Sequence, residues 1–192
     1  MNSNTHDIKY KVIYADPPWE YNGHVAQTKT GDSRAKVHYP TMSDDEILNF
    51  PINTYADDDC VLFLWTTVPN LPLGLQVLTK WGFKYKTCLT WKKEYHKRGG
   101  FGMGSYFGIY TEHLLMGTKG KVKQFYSGKS NIITAEWRGH SEKPQQFRTL
   151  IERATKYLEP KIELFARIKP VGWDTYGNDV ALQNKPLEAF IP

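Results

Sequence analysis

The run Asp16-Pro17-Pro18-Trp19 follows directly on the apolar stretch Val12-Ile13-Tyr14-Ala15. A carboxylate therefore stands at the end of a strand-like segment, followed by two residues whose φ is held near about −65° and which lack an N–H. Such a corner is rigid, and it suits one kind of chemistry. An aromatic amine is a poor nucleophile because its lone pair is delocalised into the ring, so group transfer to it needs acceptors that hold its two hydrogens. Asp16 and the Pro17 carbonyl are candidates for those acceptors. A carboxylate beside a nitrogen that gains positive charge also stabilises the transition state more than the ground state. Asp16, Pro17, Pro18 and Trp19 together form the candidate catalytic centre. Trp19, with Tyr21 assisting, is expected to lie against the face of a base taken out of its stack. The competing reading is a plain turn in which Asp16 caps a helix and Trp19 fills the core. The catalytic reading requires Asp16 to face an open cleft rather than to be salt-bridged deep in packing.

The elements that must position this corner follow from hydrophobic periodicity. Short runs rich in β-branched and aromatic residues predict strands at 11–15, 60–65, 86–91, 113–117, 131–135 and 161–166. Helices are predicted at 43–49, 70–81 and 144–158. The first opens on Ser43 with Glu46 three residues on, a capping-box pattern. The third has Ser141 or a neighbour as its cap, Pro144 in its first turn, and Phe147, Leu150, Ile151, Ala154 and Leu158 on one face. Alternating strands and helices predict an α/β domain: a mostly parallel sheet, helices on both faces, and ligands beyond the carboxyl ends of the strands. On that rule the functional loops are 16–42, 92–110 and 167–180. No repeat or linker divides the chain, which is expected to form one domain over 1–192.

Gly99-Gly100-Phe101-Gly102-Met103-Gly104 imitates a dinucleotide fingerprint, but no strand leads directly into it and no helix leaves it. A loop that closes over substrate explains it better. In that loop Tyr106 and Phe107 would meet bases, and Lys92, Lys93, Lys97 and Arg98 would lie near phosphates. A charged mobile surface loop is the alternative.

Composition is consistent with a nucleic-acid partner without proving one. Lys and Arg number 25 against 20 Asp and Glu, a net charge of +5, and aromatic residues make up 14% of the chain. A positive protein is steered towards polyanions, and spare aromatic rings can stack on bases. Cys60 and Cys88 sit in apolar runs without metal-ligand spacing, and the six histidines pair with no cysteine or carboxylate at such spacing, so no metal is expected. Neither a signal-like segment nor an apolar run of bilayer length is present, which predicts a cytoplasmic protein without a membrane partner.

Taken in order, these motifs are similar to those of the seventy-kilodalton methyltransferase-A (MT-A70) family of adenine N6-methyltransferases, whose members modify messenger RNA in eukaryotes and often DNA in bacteria and phages. Besides Asp16 to Trp19, the resemblance is carried by Tyr39-Pro40-Thr41-Met42-Ser43, Phe63-Leu64-Trp65-Thr66-Thr67, Glu112 to Gly120, His140-Ser141-Glu142-Lys143-Pro144, Ile162 to Arg167 and Gly172 to Asn178. It implies a Rossmann-like class I methyltransferase fold with S-adenosyl-L-methionine as cofactor. By the same resemblance, Lys119 would meet the methionine end of that cofactor, Arg167 its ribose, and Asn178 with Asp179 its adenine, with Asp16 also in contact. Lys119 and Arg167 as solvated turn cations, and Asn178 as a turn residue, are the plainer alternatives. Zinc-finger segments of some relatives are missing, so target selection is expected from the catalytic domain, a homodimer or a partner methyltransferase-like subunit. The expected activity is methyl transfer to adenine in DNA. The same reaction on RNA, a catalytically silent nucleic-acid-binding subunit, and transfer to an amide such as glutamine are the alternatives.

Overall fold

The computed structural model describes residues 8–20, 41–95, 106–125, 128–138 and 142–177. The order of elements is β1 (Tyr10–Ala15), α1 (Asp44–Leu48), a 3-10 turn (Ile52–Thr54), β2 (Ala56–Thr67), α2 (Leu71–Lys80), β3 (Lys84–Glu94), β4 (Thr111–Lys119), β5 (Ile132–Glu136), α3 (Gln145–Ala154), β6 (Lys161–Leu164) and β7 (Asp174–Tyr176). The strands form one seven-stranded sheet in the order β5-β3-β4-β2-β1-β6-β7. β1 pairs in parallel with β2 and β6, β6 with β7, and β3 with β5, whereas β4 is antiparallel to both β2 and β3. Among the described residues, β4 is thus the one strand reversed against the rest. The predicted mostly parallel sheet is the observed one.

Central strands buried on both faces read as continuous apolar runs, and side-chain alternation sorts their residues onto two cores. Ile13, Ala15, Leu62 and Leu64 pack with Ile47 of α1 and with Val77 and Leu78 of α2. Val12, Tyr14, Val61, Phe63 and Trp65 pack with Phe147 and Ile151 of α3 on the opposite face. Helices on both faces follow directly from this sorting.

All six predicted strands are present, most of them longer than the apolar runs that announced them. α1 carries both halves of the capping box: the Ser43 hydroxyl accepts from the Glu46 N–H at 3.3 Å, and the Glu46 carboxylate accepts from the Ser43 N–H at 2.7 Å. α3 starts within a residue of the expected position, but Pro144 is its N-cap, without a side-chain capping bond, rather than a residue of its first turn, and it ends at Ala154 instead of 158. There the Thr155 N–H and hydroxyl both bond the Ile151 carbonyl, at 2.8 and 2.7 Å, which satisfies the last turn and lets the chain leave the helix. β7 lies inside the predicted 167–180 loop; three residues that pair on one side only carry too little periodicity to be seen.

Candidate active site

Register places the corner. Ala15 is aligned with Leu64 of β2 and Leu164 of β6, so Asp16 leaves the sheet at the common carboxyl end of three parallel strands. The two prolines then turn the chain, and main-chain bonds pin it: the Trp19 N–H reaches the Pro17 carbonyl at 2.8 Å and the Met42 N–H reaches the Pro18 carbonyl at 2.9 Å. The Pro17 carbonyl is therefore partly engaged, but a carbonyl oxygen has a second lone pair to offer.

Asp16 lines a cleft of about 1240 Å³ that Lys143, Arg148, Glu163 and Arg167 also border. Its side chain retains 23% exposure while bonding the Lys143 ammonium at 2.7 Å. The carboxylate thus lines the cleft and is salt-bridged within it to Lys143, itself only 14% exposed; the first part of the condition set by the catalytic reading holds, and the buried salt bridge stands against the second. Lys143 in turn lies 3.4 Å from Glu112, and Glu112 is 2.6 Å from Lys93. Four alternating charges run along one face of the sheet, from β3 through β4 to the end of β1.

The electrostatics of this row are coupled. Burial pushes the Asp16 carboxyl above the ordinary aspartate range, with Lys143 pulling it back and the Glu112 charge adding to the rise. Burial works against the Lys143 cation, but Asp16 and Glu112 outweigh it and raise its pKa. Burial likewise opposes the Glu112 charge, and Lys143 and Lys93 overcome it and lower the pKa. Lys143 therefore serves both acids.

A second buried pair stands beside the first. Arg148 of α3 donates to Glu163 of β6 at 2.6 Å, and its guanidinium lies over the rings of Tyr14 and Trp173, 5.3 and 5.5 Å from their centroids. Its other terminal nitrogen, Nη1, is buried without a hydrogen-bond partner among the described residues. An unmatched buried donor is costly, so an acceptor from a bound molecule would relieve it. At the carboxyl end of β6, Phe165 adopts a left-handed φ of 61°, a conformation that costs a non-glycine residue about 1–3 kcal/mol. The Ala166 N–H is tied to the Tyr176 carbonyl at 3.0 Å, and Gly177 presses so close to the Ala166 backbone that no Cβ would fit. Arg167 follows on this fixed turn, inside the same cleft as Asp16.

Several expectations need correction. Trp19 offers no face to a base: it is 6% exposed, packs in the core on the α1 and α2 side, and donates its indole N–H to the Trp65 carbonyl at 3.1 Å. The turn that leaves Asp16 in the cleft carries the indole inward, where the Trp65 carbonyl satisfies its one polar atom. Lys119 does not reach the cleft. It pairs in register with Cys60, at the amino end of the parallel strands, and bonds Asn53 at 3.2 Å. The rule that ligands lie beyond carboxyl ends presumes a parallel strand; β4 runs backwards, so its functional end is its beginning, at Glu112. Lys92 and Lys93 cannot both be phosphate contacts, because strand alternation separates them: Lys93 is committed to Glu112, and Lys92 points to the other face. Tyr106 is 93% exposed. Tyr21, Lys97, Arg98, Asn178, Asp179 and the glycine-rich run 99–104 lie outside the described residues.

Lys143, Glu112, Arg148 and Glu163 were not singled out from sequence. Three of them, Lys143, Glu112 and Glu163, lie in blocks that carry the family resemblance, yet nothing local ties position 143 to position 16. Only the sheet order brings them together.

A largely parallel sheet with one reversed strand, helices on both faces and a charged cleft at the carboxyl ends is consistent with the Rossmann-like methyltransferase fold. The MT-A70 family model matches residues 10–179, and the chain belongs to that family. It is 34% identical over 190 residues to the Type II methyltransferase M.MunI of Mycoplasma sp, covering 90% of this chain and 78% of that one. It is 34% identical over 182 residues to the human N(6)-adenosine-methyltransferase catalytic subunit METTL3, covering 90% of this chain and 28% of that one. For the N(6)-adenosine-methyltransferase MT-A70-like of Arabidopsis thaliana the identity is 31% over 189 residues, with 94% and 25% covered. The chain thus spans about a quarter of these longer relatives. No helix among the described residues is long and apolar enough to cross a membrane.

Proposed function

We propose that the protein transfers a methyl group from S-adenosylmethionine to the N6 amine of adenine in DNA. The observation that carries this reading is Asp16: a carboxylate at a strand end, held by Lys143, followed by a two-proline turn and open to a cleft. S-adenosylmethionine, when bound, supplies a methyl on a positively charged sulfur. The donor set suits such a molecule, since Asp16 and Lys143 side by side match an ammonium and a carboxylate, and the unmatched Arg148 Nη1 can take an acceptor. Arg167, on the turn after β6 and bordering the same cleft, would hold the ribose. This moves the expected methionine-end contact from Lys119 to Lys143.

Asp16 accepts one hydrogen of the adenine amine, and the free lone pair of the Pro17 carbonyl accepts the other. Holding both hydrogens frees the nitrogen lone pair from the ring and aims it along one direction. The carboxylate offsets the positive charge that grows on the nitrogen as the sulfur–methyl bond would break to leave a neutral thioether, and the methylated amine then gives up one proton, to Asp16 or to water. The prolines fix the Pro17 carbonyl and Lys143 holds the carboxylate, so little reorganisation is needed at the moment of reaction. DNA is put ahead of RNA because the Type II methyltransferase is matched along 78% of its length, whereas the N(6)-adenosine-methyltransferases METTL3 and MT-A70-like are matched along 28% and 25%.

Incubation with labelled S-adenosylmethionine and matched DNA and RNA oligomers, followed by digestion to nucleosides and mass spectrometry, tests the proposal. N6-methyl-2′-deoxyadenosine is the expected product. N6-methyladenosine in the ribonucleoside alone would move the substrate to RNA, and no label in either polymer would overturn the reading.

A further inference from the structure

Beyond the buried charges, the same end of the sheet carries a group of aromatic rings that the reaction does not use. Tyr95 follows β3, Tyr110 precedes β4 and Trp137 follows β5. Tyr95 lies 5.9 Å from Tyr110, edge to face, and 5.6 Å from Trp137, centroid to centroid. Backbone bonds fix their mounts: the Lys93 N–H donates to the Tyr110 carbonyl at 2.8 Å and the Trp137 N–H to the Glu94 carbonyl at 2.9 Å. Tyr110 is 45% exposed, and the neighbouring Tyr106 and Phe107 are 93% and 86% exposed. Rings paired by main-chain hydrogen bonds at three strand ends form a firm ledge.

The ledge continues the row that ends at Asp16. Tyr95 is two residues beyond Lys93 and Tyr110 two residues before Glu112, so by strand alternation both sit on the face that carries Lys93, Glu112, Lys143 and Asp16. At about 4.8 Å between neighbouring strands, Tyr95 lies about 14 Å and Trp137 about 19 Å from the level of Asp16. That is the length of about four to six stacked nucleotides at about 3.4 Å each. Arg138, with 68% of its side chain exposed and its Nε 3.5 Å from the Glu136 carboxylate, stands next to Trp137 on the rim of the cleft. Rings for bases beside a cation for phosphates are the combination that unpaired nucleic-acid strands require.

We infer that Tyr95, Tyr110 and Trp137 form a stacking ledge for unpaired bases flanking the target adenine. The ledge rests on the proposed nucleic-acid substrate and adds where the strand runs: from Asp16 across β2, β4 and β3 towards β5. It takes single-stranded nucleic acid of any sequence, since every base has a stacking face.

The test separates binding from chemistry. Fluorescence anisotropy gives Kd for a labelled single-stranded DNA of about a dozen nucleotides with one central adenine, for the wild type and for Tyr110→Leu, Trp137→Leu, Tyr110→Phe and Trp137→Phe. Each leucine variant is expected to weaken binding about tenfold, and each phenylalanine variant to restore most of it. An oligomer with abasic flanks should bind the wild type at least as weakly as the intact oligomer binds either leucine variant. Leucine variants with unchanged Kd, or phenylalanine variants as weak as leucine, would overturn the ledge. If the wild type binds through the ledge but transfers no methyl, the proposed reaction fails and the ledge stands. If it binds no nucleic acid, the ledge fails.

Discussion

The two ends of the sheet are built from the same kinds of charged residue and, apart from Lys161, which is buried against Glu159 at the amino end of β6, treat them oppositely. At the amino end, Lys119 bonds Asn53 at 3.2 Å, Lys9 reaches the Asn53 carbonyl at 2.7 Å, and Asp59 accepts from the Lys121 N–H at 2.5 Å, all at exposed positions. At the carboxyl end, Lys93, Glu112, Lys143 and Asp16 are linked in series, with side-chain exposures of 12, 15, 14 and 23%. Solvated charges with local partners contribute little and transmit nothing. Linked charges held out of water depend on one another, so a change at one is felt along the row. Proteins accept the cost of such a row where it tunes a reactive group.

The comparison can be broken most severely at Asp16. Asp16→Asn keeps the shape but removes the negative charge, and methyl transfer should fall by about 10²–10³ with the fold intact. Unchanged turnover would make the cleft end as idle as the other. Lys143→Met strips the cation from two acids at once and should lower unfolding free energy by about 3 kcal/mol in urea titrations at neutral pH. The sign follows from linkage. The folded pKa of Lys143 is raised above the ordinary 10.5, so its stabilisation is complete below that value and is lost only as pH climbs through the raised one. At the opposite end, Lys119→Ala should alter stability by less than about 1 kcal/mol and leave KM for S-adenosylmethionine unchanged. A large rise in KM would return Lys119 to the cofactor site. Lys92→Ala is expected to be smallest, within about 0.5 kcal/mol and with the salt dependence of DNA binding unaltered. A flatter salt slope would place Lys92 on the nucleic-acid path.

The strands and the Asp16 corner were legible because hydrophobic periodicity and proline geometry are local. Six strands were found from runs such as Cys60 to Trp65, and the Ser43 and Glu46 cap from a spacing of three. What escaped was everything set by strand direction. Lys119 looked like a functional residue after a strand, and the reversal of β4 moved it to the wrong end; Glu112, at the start of that strand, was overlooked for the same reason. Trp19 was read by the chemistry of its ring, and the direction of the turn decided instead that it would seal the core. Lys143 sat in plain view in a quoted block, but its partnership with Asp16 exists only once β6 and β2 flank β1 and α3 lies across them.

The pH dependence of methyl transfer, in the wild type and in Lys143→Met, bears most directly on the claim that an ionised Asp16, held by Lys143, does the accepting. A wild-type rate with one acid limb is predicted, its midpoint above the ordinary aspartate value of about 3.9 because burial raises Asp16. Removing the Lys143 cation should move that limb to still higher pH. A rate that is flat through the acid range, or a limb that ignores the loss of Lys143, would contradict the account.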